Sequence, residues 1–160
     1  MNRLYPPNEF GFTTGMEWLR VTNGRYEDRE DPSSLSFLYF EVMDVGFGDL
    51  TGDGREEAAV VAIYGSNSGS FFRTDTYIFS CVGRRVHLIG ILKQSRIAED
   101  SNMAVQESVR NPVRVRNGTL LVTHGTEGSR PSPEFITTFR YRIIRGRLFP
   151  QGHPIRRRTR

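Results

Sequence analysis

Residues 49–57 place oxygen-bearing groups at the spacing of a short calcium loop. Ca²⁺ prefers six to eight oxygen ligands, and such a loop supplies them from side chains at positions 1, 3 and 5, a backbone carbonyl at position 7 and a further side chain near position 9. A glycine at position 6, here Gly54, allows the sharp turn around the ion. The pattern predicts a Ca²⁺ site whose ligands are, in order, Asp49, Thr51, Asp53, Arg55 through its carbonyl oxygen, and Glu57.

Other interpretations of this loop fit less well. In an EF-hand, a glutamate at position 12 completes the site, but that position is Val60 and no helical pattern flanks the loop. Mg²⁺ is disfavoured because it keeps several water ligands in strict octahedral geometry. Thr51 is a weaker ligand than Asp or Asn, which predicts a modest affinity. The remaining alternative is an Asp-Gly turn with acidic neighbours that holds no metal.

The elements around the loop have the pattern of strands. The apolar run 58–64 is short and lies between loop signals, which is typical of a central strand buried on both faces. Asn-Gly pairs at 23–24 and 117–118 indicate tight hairpin turns. The sequence predicts an all-β fold, an antiparallel β-sandwich or open barrel in which the calcium loop connects two strands. The predicted strands are 18–22, 25–27, 35–47, 58–64, 72–82, 86–93, 113–116, 119–123, 136–144 and 147–149.

Local composition along the chain predicts its domain organisation. Residues 1–14 are rich in Pro, Gly, Asn and aromatic residues and indicate an irregular N-terminal arm. Residues 15–150 form a single β domain, and residues 151–160 a basic, flexible tail. Residues 125–133 are predicted to be a loop. Residues 96–110 show only weak helical potential and receive no assignment.

Charge is divided unevenly along the 160-residue chain, whose net charge is +4. The first 66 residues hold five basic and twelve acidic side chains. All the other basic side chains lie in residues 67–160, and all of them except Lys93 are arginines. A basic terminus is a plausible electrostatic contact for an acidic partner, either another protein or a membrane-bound complex. The predicted partner-binding residues are Arg156, Arg157, Arg158 and Arg160.

Two other functions are alternatives to calcium binding. Arginines interleaved with aromatic residues over 139–149 are compatible with a nucleic-acid surface. However, period-two alternation favours arginines on the solvent face and Phe139 and Tyr141 in the core, so nucleic-acid binding is the weaker interpretation. A metal-dependent hydrolase would need open coordination sites and a nearby base, and the sequence nominates neither. We therefore expect no catalytic residues and no enzyme activity.

The sequence gives only indirect evidence about the cellular compartment of the protein. The single cysteine, Cys81, leaves no internal disulfide to mark an oxidising environment, and its apolar neighbours predict a buried thiol. No apolar run approaches the length of a membrane span, and the first residues lack the apolar core of a signal peptide.

Residues 44–58, Asp-Val-Gly-Phe-Gly-Asp-Leu-Thr-Gly-Asp-Gly-Arg-Glu-Glu-Ala, resemble the calcium loops of FG-GAP and VCBS-type repeats. They are still more similar to a group of small secreted bacterial proteins of unknown function. The resemblance covers roughly residues 40–80, with weaker similarity in the hairpin 115–122 and the strand around 141–142. It implies a periplasmic or secreted location after removal of a signal peptide, and no established enzyme activity. Together with the charge split and the basic tail, we expect a calcium-binding, non-enzymatic domain that serves as a protein-interaction or accessory subunit of a larger assembly.

Overall fold

The computed structural model describes residues 2–4, 19–28, 38–66, 71–129 and 132–159, and these residues are mostly β. The strands are β1 Asn2–Leu4, β2 Leu19–Val21, β3 Arg25–Asp28, β4 Leu38–Gly48, β5 Glu57–Ser66, β6 Phe71–Val82, β7 Arg85–Leu92, β8 Val105–Arg116, β9 Thr119–Ser129, β10 Ser132–Ile144, β11 Arg147–Pro150 and β12 Ile155–Arg158. Helix α1, Gln94–Ser101, lies between β7 and β8. The prediction of an all-β, antiparallel fold is confirmed.

The first sheet is a five-stranded antiparallel meander in the order β3-β4-β5-β6-β7. Its central strand, β5, contains the apolar run predicted to be buried on both faces. Ala59 and Val61 point into one hydrophobic cluster, while Ala62 and Tyr64 point into a second cluster on the opposite face. Side chains alternate between the faces of a strand, so a strand buried on both faces needs an almost continuous apolar sequence.

The second sheet has the order β11-β10-β9-β8, and β12 also pairs with β10. β11 pairs with the carboxyl-terminal half of β10, and β12 pairs with its amino-terminal half, Phe135 opposite Arg158 and Thr138 opposite Ile155. The amide of Thr159 continues this pairing by donating to the carbonyl of Glu134 over 3.0 Å. Residues 155–158, predicted to lie in a flexible tail, instead form an edge strand, because β10 offers this segment an open edge.

The core lies between the two sheets and includes one face of α1. Both sheets and the loop 49–56 contribute to it, the loop through Leu50, which is 2% exposed. Aliphatic and aromatic side chains of both sheets complete this sandwich core, and burying them is the main favourable term in folding. The buried members are Leu50, Ala59, Val61, Ile78, Leu92, Ile97, Val113, Leu120, Val122, Phe139, Tyr141 and Leu148.

The end of β4 packs closely against β8 of the second sheet. A Cβ atom placed on Gly48 would lie 2.6 Å from Cγ1 of Val115, and one placed on Gly46 would lie 3.4 Å from Cα of Arg114. A Cβ contact under 3.0 Å does not occur without movement of a neighbour, so the absent side chain of Gly48 allows this approach. Asp44 reinforces it by accepting a 3.2 Å hydrogen bond from the amide of Val113. This packing holds the end of β4, which leads directly into the loop at residue 49.

Three other expectations need correction. The N-terminal arm is not wholly irregular, because Asn2–Leu4 pairs with Leu19–Val21; residues 5–14 lie outside the described residues. The predicted loop 125–133 is mostly strand, since β9 and β10 pair as far as Ser129 and Ser132. The unassigned segment 96–110 holds most of α1 and the start of β8. No helix in the described parts of the chain is long and apolar enough to cross a membrane.

Candidate metal-binding loop

The candidate loop leaves β4 after Gly48 and enters β5 at Glu57. Residues 51–56 are exposed, so solutes have access to this side of the loop. Gly52 and Gly54 have φ angles of +81° and +82°, a backbone region that strongly favours glycine. Apart from the adjoining residues, no heavy atom of the described part of the chain lies within 4 Å of a Cβ placed on either glycine. These two glycines are therefore required by backbone conformation alone, and they make the loop turn sharply. Gly54 lies at position 6, where the calcium pattern specifies a glycine.

The carboxylate of Asp49 lies inside this turn. Its Oδ1 accepts a hydrogen bond from the amide of Gly52 over 2.6 Å, and its Oδ2 accepts one from the amide of Gly54 over 2.9 Å. Both donors are backbone groups that the positive φ angles turn toward the first residue of the loop. The negative charge at position 1 is therefore fixed by two backbone bonds, as a binding group at this position requires.

Asp53, Thr51 and Arg55 lie on the exposed part of the loop. Asp53 uses Oδ1 to accept the amide of Arg55 over 2.9 Å, and its Oδ2 has no hydrogen-bond partner among the described residues. The Thr51 hydroxyl lies 3.4 Å from Oε1 of Glu57. Among the predicted ligands, Asp53 thus presents to solvent one carboxylate oxygen that has no hydrogen-bond partner among the described residues.

Glu57 has a different environment from the other predicted ligands. Its side chain is 0% exposed. Oε2 accepts two hydrogen bonds, from the amide of Leu50 over 2.8 Å and from the amide of Thr51 over 3.1 Å. The carboxylate therefore ties the end of the loop to its beginning and satisfies the buried amide of the core residue Leu50.

The five predicted ligands thus fall into two groups. Asp49, Thr51, Asp53 and Arg55 belong to the exposed turn, whereas Glu57 is buried behind it. Among the described residues, no three His, Cys, Asp or Glu side chains are arranged to hold a metal ion together. An ionised carboxylate has about four acceptor sites, so Asp49 and Asp53 keep capacity for a cation after their backbone bonds are counted. The donor set of the exposed turn, two carboxylates with hydroxyl and carbonyl oxygens, fits a hard cation.

The hairpin turn between β8 and β9 supports the loop from the second sheet. Asn117 and Gly118 have φ angles of +48° and +69°, which confirms the tight turn predicted from this dipeptide. A Cβ atom placed on Gly118 would lie 3.8 Å from the carbonyl oxygen of Asp49. Two sequence features that are far apart along the chain therefore meet at this end of the sandwich.

A buried polar network that the sequence patterns did not predict lies on the face of β6 that points away from the core between the sheets. Asp75, 1% exposed, accepts hydrogen bonds from the Tyr64 hydroxyl over 2.9 Å and from the amide of Gln94 over 2.8 Å. Burial raises the pKa of Asp75, while the bonds from Gln94 and Tyr64 oppose that rise. Burial also raises the pKa of Tyr64 and of Tyr77. The sequence signal for this network is Asp75, a carboxylate inside the β-branched and aromatic run of β6.

This network joins α1 to the first sheet and lies apart from the loop. Gln94 also accepts the amide of Thr74 over 2.9 Å through its side-chain oxygen and donates to the carbonyl of Val105 over 2.9 Å. The Tyr77 hydroxyl and the Thr74 hydroxyl are buried without a hydrogen-bond partner among the described residues. We assign the network a structural role, which is to anchor the first residue of the helix.

The partner-binding arginines of the tail differ in their contacts. Arg156 forms an ion pair with Glu127 at 2.8 Å and lies 4.0 Å from the ring centroid of Phe135. Arg158 forms an ion pair with Glu134 at 3.5 Å. Arg157 is exposed, and Arg160 lies outside the described residues. The charges of Arg156 and Arg158 are therefore partly used within the chain.

Side chains suited to acid–base chemistry are scattered. Cys81 is exposed, so the prediction of a buried thiol is wrong. His124 is 1% exposed and packs edge-on against Phe139, whereas His87 is exposed. A groove of about 430 Å³ between β7 and β11 is lined by aliphatic residues, glycines, Phe149 and two arginines, without a carboxylate or a histidine. That groove therefore offers no general base.

Comparisons of the chain with family models, with curated proteins and with solved structures found no match. The resemblance of residues 44–58 to FG-GAP and VCBS-type loops stays a prediction from the motif.

Proposed function

We propose that this chain is a non-enzymatic, extracytoplasmic calcium-binding β-domain that works as a protein-interaction or accessory subunit of a larger assembly. The observation that carries the calcium assignment is the exposed turn, in which Gly52 and Gly54 wrap the backbone around the carboxylate of Asp49. The uncommitted oxygen of Asp53 lies in the same turn.

In this proposal the exposed turn holds the ion. Asp49 and Asp53 supply carboxylate oxygens, Thr51 a hydroxyl and Arg55 its backbone carbonyl, and water supplies the remaining ligands. Glu57 acts as a clamp behind the site, because its Oε2 is bonded to the amides of Leu50 and Thr51. Bound Ca²⁺ would offset the repulsion between the neighbouring carboxylates and make the loop rigid, with no chemical step.

An extracytoplasmic location is consistent with the modest calcium affinity that we expect for this site. Extracellular calcium modules with few charged ligands bind at about 10⁻⁴–10⁻³ M, and a site of that affinity fills only where free calcium is near millimolar. Binding to the folded state alone would then stabilise the domain by about 1 kcal/mol. For a domain of this size, the melting temperature should rise by about 2–4 °C.

Differential scanning calorimetry in about 2 mM CaCl₂ and in excess chelator tests the assignment. The wild-type melting temperature should be higher in calcium. Asp53→Asn should remove most of that difference, while Glu56→Gln, a matched loss of one exposed carboxylate outside the proposed ligand set, should keep it. An unchanged melting temperature in the wild type would reject the calcium site. A full calcium response in Asp53→Asn would reject the ligand assignment.

The location is tested separately by expressing the native gene from its own start and fractionating the cells. Recovery of the protein outside the inner membrane supports the proposal, and recovery only with cytoplasmic markers contradicts it.

A further inference from the structure

The solvent face of the second sheet carries a set of arginines that we call the arginine face. Side chains alternate along each strand, so the neighbours of these arginines, including Val113, Phe139, Tyr141 and Leu148, point into the core between the sheets. Five of the six arginines are exposed, and the sixth, Arg140, is partly exposed. The arginine face comprises Arg114, Arg116, Arg140, Arg142, Arg147 and Arg157.

The strand register arranges these arginines in rows across the sheet. In one row Arg116 lies opposite Thr119, which is followed on the next strands by Arg142 and Phe149. In the adjacent row Arg114 lies opposite Leu121, which is followed by Arg140. Residues two apart on a strand are separated by about 7 Å, and residues two strands apart by about 10 Å. The backbone positions of these arginines therefore form an array with regular spacing across the sheet.

The charges of the arginine face are not balanced by neighbouring acids. Among the described residues, none of these six arginines forms an ion pair, in contrast to Arg25, Arg96, Arg156 and Arg158. Arg142 contacts the Thr119 hydroxyl over 3.4 Å, and Arg140 donates to the carbonyl of His153 over 3.0 Å. Like charges that face one another on a sheet disfavour folding. The array therefore has unused capacity for carboxylates of another molecule.

Apolar side chains are interspersed with the arginines. Ile144, Phe149 and Ile155 are 47%, 43% and 49% exposed, and all three occupy outward positions of the second sheet. Protein interfaces are enriched in arginine and in aromatic and apolar anchors, and lysine is depleted there. The planar guanidinium can bind a carboxylate with two parallel hydrogen bonds.

We propose that the arginine face docks a carboxylate-rich surface of a partner protein. This inference rests on the proposed protein-interaction function and names the chemistry of its partner. Single-stranded nucleic acids are bound on sheets by several stacking aromatic side chains, and Phe149 is the sole aromatic residue at the outward positions described above. The partner thus docks on the solvent face of the second sheet. Arg157 of β12 is the residue of this face that comes from the segment predicted to be a basic tail.

The test measures binding of full-length protein to fluorescent poly-L-glutamate, with a 20-nucleotide oligothymidylate and phosphatidylcholine vesicles containing phosphatidylglycerol as alternative probes. The double variant Arg116→Gln/Arg142→Gln removes two charges from the arginine face. The matched control, Arg84→Gln/Arg85→Gln, removes two exposed charges from the β6–β7 turn of the first sheet. Melting temperatures of both variants verify that they are folded.

We expect the dissociation constant for poly-L-glutamate to rise about tenfold in Arg116→Gln/Arg142→Gln, which corresponds to about 1.4 kcal/mol. The control should change it less than about twofold, because screening limits the effect of distant charges. Equal weakening in both variants would reduce the effect to net charge and overturn the proposal. Tighter binding of the oligothymidylate or of the vesicles, weakened by the same variant, would also overturn it.

The calcium variant separates this inference from the calcium site. Asp53→Asn should bind poly-L-glutamate as the wild type does while losing its thermal response to calcium. Normal calcium behaviour with no poly-L-glutamate binding would refute the arginine face alone, and the reverse result would refute the calcium site alone.

Discussion

Substitution of Glu57 distinguishes two roles for this residue: a clamp that holds the loop together, or a ligand of the calcium ion. The two roles predict different calcium responses of the melting temperature. Both loop amides donate to the same oxygen, Oε2, at 2.8 and 3.1 Å, and the Thr51 hydroxyl lies 3.4 Å from Oε1. In Glu57→Gln, the amide oxygen can take the place of Oε2, and the amide nitrogen can donate to that hydroxyl. The glutamine therefore keeps the clamp but loses the negative charge, whereas Glu57→Ala loses both.

The sizes of the two effects follow from these contacts. Hydrogen bonds to a charged acceptor are about twice as strong as neutral ones, so Glu57→Gln should cost about 1 kcal/mol. Glu57→Ala leaves the amide of Leu50 buried without an acceptor, which alone costs about 1–3 kcal/mol, and also removes buried contacts. A total of about 3 kcal/mol is expected. The melting temperature should fall by about 3 °C for the glutamine variant and by about 9 °C for the alanine variant.

Calorimetry of the wild type and both variants in calcium and in excess chelator measures these shifts. If Glu57 is a clamp, the glutamine variant retains the wild-type difference between the two conditions. Loss of that difference in Glu57→Gln, with its stability in chelator unchanged, would show that Glu57 is a ligand. A glutamine variant as unstable as the alanine variant would show that the amides do not share one acceptor oxygen.

Three further predictions concern the fold outside the metal-binding loop. Gly48→Ala should destabilise the domain by about 1–3 kcal/mol in urea unfolding, because its Cβ would lie 2.6 Å from Cγ1 of Val115. The added substitution Val115→Ala should recover part of that loss, and Gly46→Ala should cost less. The raised pKa of Asp75 means that its folded form keeps a proton after the unfolded chain has released it, so stability falls as pH rises through that interval. The stability of wild type relative to Asp75→Asn should therefore be greater near about pH 4 than near about pH 7, and a pH-independent difference would contradict the burial of a titrating group. Exposed Cys81 should react with a thiol reagent in native protein at nearly the rate seen in urea, and strong protection would refute its exposure.

Much of the fold was predictable because its signals are local. The run 58–64 specifies a strand with two buried faces, and β5 is the middle strand of the first sheet. The Asn-Gly pairs at 23–24 and 117–118 specify turns with positive φ at both residues, which few other residue pairs tolerate. In the loop, the glycine at position 6, Gly54, predicted a sharp turn by the same reasoning, and its φ angle is positive. Alternation over 139–142 likewise placed the arginines outside and the aromatic residues in the core.

Features that depend on a partner strand or a crossing sheet were decided by tertiary structure. Nothing in residues 155–158 distinguishes a basic tail from an edge strand, because only the open half of β10 supplies the missing hydrogen bonds. Cys81 has apolar neighbours, yet it lies near the exposed end of the β6–β7 hairpin. The oxygen pattern of residues 49–57 specifies which groups are present but not where each one points. Glu57 faces the amides at the start of the loop because Leu50 is packed into the core, and that packing requires both sheets.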